Sequence, residues 1–284
     1  MYAITGITGK VGGALGAALL AGGHPVRAVV RDAAKGAEWA RRGTEIAIAD
    51  MDDAAALTAA FTGAEAVFIL PPPVFDPAPG YPEARRTIAA VATALRAARP
   101  GRVVLLSTIG ADAVQDNLLS QRTLMEAALR GLDLPLTVLR PGWFMDNAAW
   151  DVAEVRETGI YRSYLAPLDK GFPMVAAVDV GTVAARLMTE DWAGVRVVEL
   201  TGPRPVSAHD IAAALAEALG RPVRAEAVPP QTWEALFQAQ GMNNPGPRIR
   251  MLEGFNAGWI AFGAGAEQGT TEIGDVVTAL AAQS

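Results

Sequence analysis

The chain has 284 residues, about half of them apolar, with 30 acidic against 24 basic side chains and a formal net charge of −6. That length can bury a full α/β core, and the acidic balance argues against a general nucleic-acid surface, because a phosphate backbone needs a basic footprint. Zero cysteines and only two histidines, His24 and His209, exclude disulfides and thiolate metal sites and leave no histidine-rich metal site, so redox chemistry must come from a bound organic cofactor.

No run approaches the roughly 18 uncharged apolar residues of a membrane span, and no charged-then-apolar leader stands before the first strand. The expectation is a cytoplasmic protein with no membrane partner, in which nothing precedes the fold. Residues 1–5 read as a buried strand, followed by Gly6, Gly9 and Gly12 at intervals of three and by a helix over 11–21. Glycine lacks Cβ, so the backbone can bend at Gly6, approach a pyrophosphate at Gly9 and let the helix pack on its strand at Gly12. The helix N-terminus adds free N–H groups and partial positive charge.

A second strand over 26–30 ends in Arg31-Asp32, about 20 residues past the glycine turn, where a side chain that reads the ribose is expected. An acid there would accept from the 2′-OH of NAD, whereas a guanidinium pairs with the 2′-phosphate of NADP. Arg31 therefore favours NADP(H). Two other readings stay open: Arg31 as a solvated charge paired with Asp32, and Asp32 itself on the ribose.

Further strands are predicted over 45–49, 66–70, 102–107 and 134–139, with helices over 54–61, 83–98 and 120–130 among those filling the gaps. This alternation predicts an α/β fold, a doubly wound parallel Rossmann sheet whose ligand crevice lies beyond the strands' carboxyl ends. Those ends are residues 5–9, 31, 50–51, 71–73, 107–108 and 140–144. After Asn147 the alternation loosens. Residues 1–147 are expected to form the NADP(H)-binding domain, to which later residues can add strands, and 148–284 a smaller α/β substrate lobe. Within that lobe Asp179 is placed to cap a helix through Met188, and 195–200 reads as a strand. Ser207-Ala-His-Asp210 has the capping-box form and opens a helix over 211–219. His209, in that first turn, and His24, in the Gly22-Gly-His-Pro25 turn, read as structural. Trp233, Phe237, Met242, Phe255 and Trp259 fit a pocket lining or helical core packing equally well.

Four stretches, Thr5-Gly-Ile-Thr-Gly-Lys-Val-Gly12, Val26-Arg-Ala-Val-Val-Arg-Asp32, Val104-Leu-Leu-Ser-Thr-Ile-Gly110 and Leu136-Thr-Val-Leu-Arg-Pro-Gly-Trp-Phe-Met-Asp-Asn147, together resemble the NmrA-like group of atypical short-chain dehydrogenases/reductases. That group includes quinone oxidoreductase-like and triphenylmethane-reductase-like enzymes as well as regulators that bind the dinucleotide. The resemblance implies that Gly6, Thr8, Gly9, Lys10 and Val11 form the pyrophosphate turn, that Arg31 meets the 2′-phosphate, and that Asp50 and Met51 face the adenine edge. It further implies that Leu70, Pro71 and Pro72 line the ribose side and that Pro141, Gly142, Trp143 and Phe144 back the nicotinamide. Phe75, Trp143, Phe144 and Asn147 would face the substrate. Rigid post-strand turns and core packing account for the prolines and aromatics as well.

One departure narrows the chemistry. Ordinary short-chain dehydrogenases use Tyr-x-x-x-Lys, but none of Tyr2, Tyr81, Tyr161 and Tyr164 has a lysine four residues on. In the resembled group a lysine stands on the helix after the fifth strand; here Ser120-Gln-Arg-Thr-Leu-Met-Glu126 puts Arg122 in that slot. Arginine can orient a ribose or phosphate but is not a general base, and a surface ion pair between Arg122 and Glu126 is its plain alternative. What survives is hydride transfer to an intrinsically electrophilic acceptor: a quinone, a dye or an activated enone. A non-catalytic NADP(H)-sensing regulator, and a specialised biosynthetic reductase of an imine or a ring-opening step, are the competing functions. The expected partner is a small-molecule acceptor, and the expected assembly a monomer or homodimer.

Overall fold

In the computed structural model, which describes residues 1–283, the chain opens on β1 (Tyr2–Thr5), buried along its whole length. Ser284, the last residue of the expected second lobe, lies outside the described residues. Strands and helices then alternate: α1 (Lys10–Ala21), β2 (Val26–Val30), α2 (Ala33–Arg41), β3 (Glu45–Ile48), α3 (Ala54–Phe61), β4 (Ala66–Ile69), α4 (Pro82–Ala98), β5 (Arg102–Leu106), α5 (Ser120–Arg130) and β6 (Leu136–Pro141). Among the described residues one sheet of eight strands forms, with β1, β2 and β3 on one side of the switch point and β4, β5 and β6 on the other. Each of these neighbours pairs in parallel.

Parallel strands covered on both faces should bury both sets of alternating side chains, and they do. Ile4, Phe68, Val104 and Leu139 point into a layer with Val11, Leu15 and Leu19 of α1. Ala3, Val67, Ile69, Val103 and Val138 point the other way, onto Leu57 and Phe61 of α3, Leu95 of α4 and Met125 of α5. Asp53 starts α3 by accepting from the N–H groups of Ala55 and Ala56, and Asp32 starts α2 by accepting from Ala34.

The second half adds β7 (Trp143–Phe144), a 3-10 helix (Met145–Trp150), α6 (Val152–Thr158), β8 (Ile160–Ser163), β9 (Met174–Val175), α7 (Ala177–Thr189), β10 (Val195–Thr201), α8 (Ala208–Leu219), β11 (Arg224–Ala227), α9 (Trp233–Ala239), α10 (Gly246–Ala257), β12 (Glu267–Gln268) and α11 (Ile273–Ala281). Part of this half returns to the first sheet: β10 pairs with β6 and β12 with β10. α7 packs on α1 at a close crossing, where a Cβ on Gly181 would stand 2.8 Å from the Val11 carbonyl oxygen. The remaining elements share their own core, which includes Val155, Tyr161, Leu215, Trp233, Phe237, Phe255 and Val277.

Ser207 and Asp210 form the expected reciprocal capping box at α8. Two expectations need correction. The sixth strand runs over Leu136–Pro141 rather than 134–139, because Leu134 turns back onto Leu132 while Glu199 and Leu200 of β10 hold Arg140 and Pro141 in register. Asp179 does not cap α7, whose N-cap is Ala176; its carboxylate instead accepts from the Thr270 and Thr271 amides and the Thr271 hydroxyl, tying down the segment before α11. No helix of the described residues is long and apolar enough to cross a membrane.

Candidate active site

The turn after β1 is built for close approach. Gly6 sits at φ +68°, a left-handed conformation that favours glycine. A Cβ on Gly12 would lie 2.3 Å from the Gly6 carbonyl oxygen, so only hydrogen lets α1 rest on the turn. The Thr5 hydroxyl donates to the Phe68 carbonyl at 3.0 Å and accepts from the Leu70 amide at 2.8 Å, locking the β1 and β4 ends together. Thr8, Gly9 and Lys10 are exposed, and Gly9, the N-cap of α1, gives it no side-chain cap. The first-turn N–H groups of α1 thus face outward without a side-chain acceptor, and an anionic pyrophosphate fits that cradle. Lys10 pairs with Asp146 at 3.0 Å, and Asp146 also accepts from the Ala177 amide at the start of α7.

Arg31 follows β2 and Asp50 and Met51 follow β3, on the same sheet edge as the turn. Arg31 is exposed and bonds nothing among the described residues. Asp32 caps α2 through Oδ1 and forms no ion pair with Arg31 among the described residues. Asp50 accepts from the Asp52 amide in a local turn, and Met51 packs against the α3 and α4 layer.

A cleft of about 1500 Å³ opens from the turn and runs between the strand ends and the second-half elements. Gly9, Lys10, Val11, Leu70, Pro71, Phe75, Arg122, Gly142, Trp143, Phe144 and Asn147 all line it, so the structure gathers these expected residues around one space. Pro72 is exposed and outside this lining, Pro73 taking its place, and Pro141 lies buried behind the wall. Gly142 permits the sharp exit from β6, since a Cβ there would stand 2.5 Å from the Pro173 carbonyl oxygen. Trp143 packs edge-on against Phe255 at 5.3 Å, and Phe75 meets Trp150 edge-on at 6.1 Å at the exposed rim. Of the five late aromatic and methionine candidates, Phe255 lines the cleft, whereas Trp233 and Phe237 are fully buried.

Arg122 does not pair with Glu126. Its guanidinium donates to the Pro71 carbonyl at 3.0 Å from the cleft wall, and desolvation pulls its pKa down to about 10, which leaves it cationic at neutral pH. Glu126 is instead buried beneath the floor. It accepts from Ser107 Oγ at 2.5 Å, from Arg140 Nε at 3.0 Å and Nη2 at 2.8 Å, and from Arg130 at 3.3 Å. Burial by itself would lower the Arg140 pKa, but its bonds to Glu126 and Asp112 outweigh that and raise it.

Asp151, which sequence reasoning passed over, and Tyr161, considered there only for a Tyr-x-x-x-Lys pair, reach the cleft from the second half. Desolvation pushes the Asp151 carboxyl up to about 7, and burial, with the Asp151 charge added, raises the Tyr161 phenol. A folded pKa above the unfolded one favours folding fully at low pH and loses that contribution as pH rises through the folded value. Asp151→Asn should therefore gain on the wild type between about pH 4 and pH 7 and level off above. Paired melting curves should show the difference in Tm widening by at least about 2 °C between pH 5 and pH 8; a constant difference would refute it.

Sheet order, glycine turn and cleft together define a dinucleotide-binding oxidoreductase fold. Residues 6–191 match the model of the NAD(P)H-binding family, and the chain belongs to that family. It is 32% identical over 249 residues to an NAD(P)H azoreductase of Xenophilus azovorans, across 86% of this chain and 82% of the azoreductase. It is 29% identical over 269 residues to the (4-alkanoyl-5-oxo-2,5-dihydrofuran-3-yl)methyl phosphate reductase of Streptomyces griseus, across 89% and 90% of the two. The crystal structure of the NADPH-dependent quinone oxidoreductase of Escherichia coli complexed with NADPH superimposes with a TM-score of 0.80 over 99% of both chains at 24% identity.

Proposed function

We propose that this protein is an NADPH-dependent reductase that delivers hydride to a small, planar, electrophilic acceptor such as a quinone, an azo dye or an activated enone. The observation that carries this reading is the continuity of one cleft from the uncapped N-terminus of α1 to the aromatic wall of Trp143, Phe144 and Phe255. The azoreductase, quinone oxidoreductase and enone-type phosphate reductase among its relatives support the acceptor class. A cytoplasmic enzyme acting on free small molecules fits an acidic chain whose described residues hold no membrane-spanning helix.

When bound, the dinucleotide supplies the hydride. The α1 amides hold the pyrophosphate, Arg31 grips the 2′-phosphate, and Arg122, anchored on the Pro71 carbonyl, orients the ribose side. Trp143 and Phe144, on the cleft wall, would back the nicotinamide and the acceptor. Ser107 spends its hydroxyl proton on Glu126 and Arg122 cannot act as a base, so these two supply position rather than a proton. Positioning suffices for an acceptor whose reduced anion takes its proton from water.

Purified protein should consume NADPH with members of a quinone, azo-dye and enone panel, and no turnover across the panel would refute the reading. The role of Arg31 is tested separately. Charge-assisted bonds contribute about 1.5–3 kcal/mol each, so Arg31→Ala should lower the preference for NADPH over NADH about 10- to 100-fold in kcat/KM. An unaltered preference would leave Arg31 without this role.

A further inference from the structure

Arg140, Arg102 and Arg27, largely withdrawn from solvent, each meet a carboxylate. Arg140 bonds Glu126 and Asp112, Arg102 bonds the Met188 and Glu190 carbonyls and Asp191, and Arg27 bonds Glu45 and two carbonyls. Arg248, on the first turn of α10, is different. It is half-buried in the cleft lining and stacks over the Phe237 ring at 4.4 Å; its polar neighbours are the Met242 thioether, with Nη1 at 3.7 Å from Sδ, and the Tyr164 phenol. Among the described residues no carboxylate or carbonyl accepts from it. Arginine carries five N–H donors in a planar fork, and here they face the open cleft with no protein carboxylate beside them. Burial lowers its pKa, yet a guanidinium remains charged at neutral pH.

Its place in the cleft says which molecule it meets. Arg122 and the glycine turn occupy the sheet side, where the dinucleotide is proposed to lie, whereas α10 forms the facing wall. Seven residues further along the same helix, on the same face, Phe255 packs edge-on against Trp143. Seven residues of α-helix span roughly 10 Å. Met251 and Leu252 line the cleft between them. An apolar track thus leads from the wall at Trp143 to a cation that no carboxylate of the described residues pairs with.

We propose that Arg248 is a specificity residue for the acceptor, engaging an oxyanion (carboxylate, sulfonate or phosphate monoester) carried roughly 10 Å from the reducible ring. The preferred substrates are then anionic, elongated electrophiles rather than neutral quinones. This rests on the reductase reading for its substrate, though not for its binding.

The test uses a naphthoquinone bearing a pentanoate side chain against its methyl ester, a pair with the same redox centre and nearly the same length. Wild-type protein should prefer the acid at least about tenfold in kcat/KM, chiefly through KM, the effect expected of a charge-assisted bond. Arg248→Gln, which removes the charge and keeps part of the aliphatic stem, should abolish that preference, and Arg248→Lys should restore part of it. Calorimetry of the non-reducible naphthalene pentanoate with NADP⁺-loaded protein should show the same order of affinities. A wild type without preference, or a glutamine variant that retains it, overturns the assignment. Failure to reduce either quinone would instead defeat the reductase reading, while the calorimetric comparison still decides Arg248.

Discussion

Glu126→Ala should cost about 3–5 kcal/mol of folding stability and lower Tm by roughly 10 °C. The reason lies in what stays behind. Arg140 is buried near the C-terminal end of β6 and paired twice with Glu126, while its other bond goes to the exposed Asp112. Removing Glu126 strands most of a buried guanidinium and leaves the Ser107 hydroxyl without its acceptor, and an uncompensated buried charge is far more costly than the pair itself is stabilising. Replacing both partners with apolar residues of similar size, Glu126→Leu with Arg140→Met, should recover most of the loss. Thermal melts of the single and double variants decide it. A single variant within about 2 °C of wild type would mean that the network is not what holds the β5 and β6 ends in place.

That network also shows where reading the residues alone stops. The glycine turn, the strand ends and the dinucleotide class were legible because each depends on local pattern: short apolar strands between amphipathic helices, and three glycines at fixed spacing. Since a parallel sheet places its crevice at the strand ends, residues as far apart as Leu70, Arg122 and Phe144 could be assigned to one space before any contact was seen. What needed coordinates were side chains whose partners come from distant elements. Glu126 has Arg122 four residues upstream, a pairing that helical spacing suggests, but the buried Arg140 competes for it and wins on geometry. Asp179 stands where an acid commonly starts a helix, yet the amide that needed capping at α7 is served by Asp146 from outside, freeing Asp179 for Thr270 and Thr271. Asp151 and Arg248 carry no local signature, and only the cleft makes them visible.

Gly12→Ala should weaken NADPH binding by 100-fold or more and cost about 3 kcal/mol of stability, at the upper end of the overpacking range. The new methyl would sit 2.3 Å from the Gly6 carbonyl oxygen, 2.7 Å from its carbon and 2.8 Å from the Ile7 Cα. All three are backbone atoms of the turn itself, so relief requires pushing α1 away from β1 and carrying its N–H groups off the pyrophosphate. Gly16 is a useful contrast, because its crowding at 2.9 Å comes from the Ile7 and Trp39 side chains, which can shift. Gly9 separates the two roles of the turn. Its φ of −92° suits any residue and its nearest neighbour stands 3.4 Å away, so Gly9→Ala should melt within about 2 °C of wild type. It should still bind NADPH more weakly, because its methyl occupies the space where the phosphate approaches the backbone. Titrations and melting curves of both variants make the distinction: loss of fold and cofactor together at Gly12, and loss of cofactor alone at Gly9. Wild-type affinity in Gly12→Ala would show that the dinucleotide does not lie on this turn.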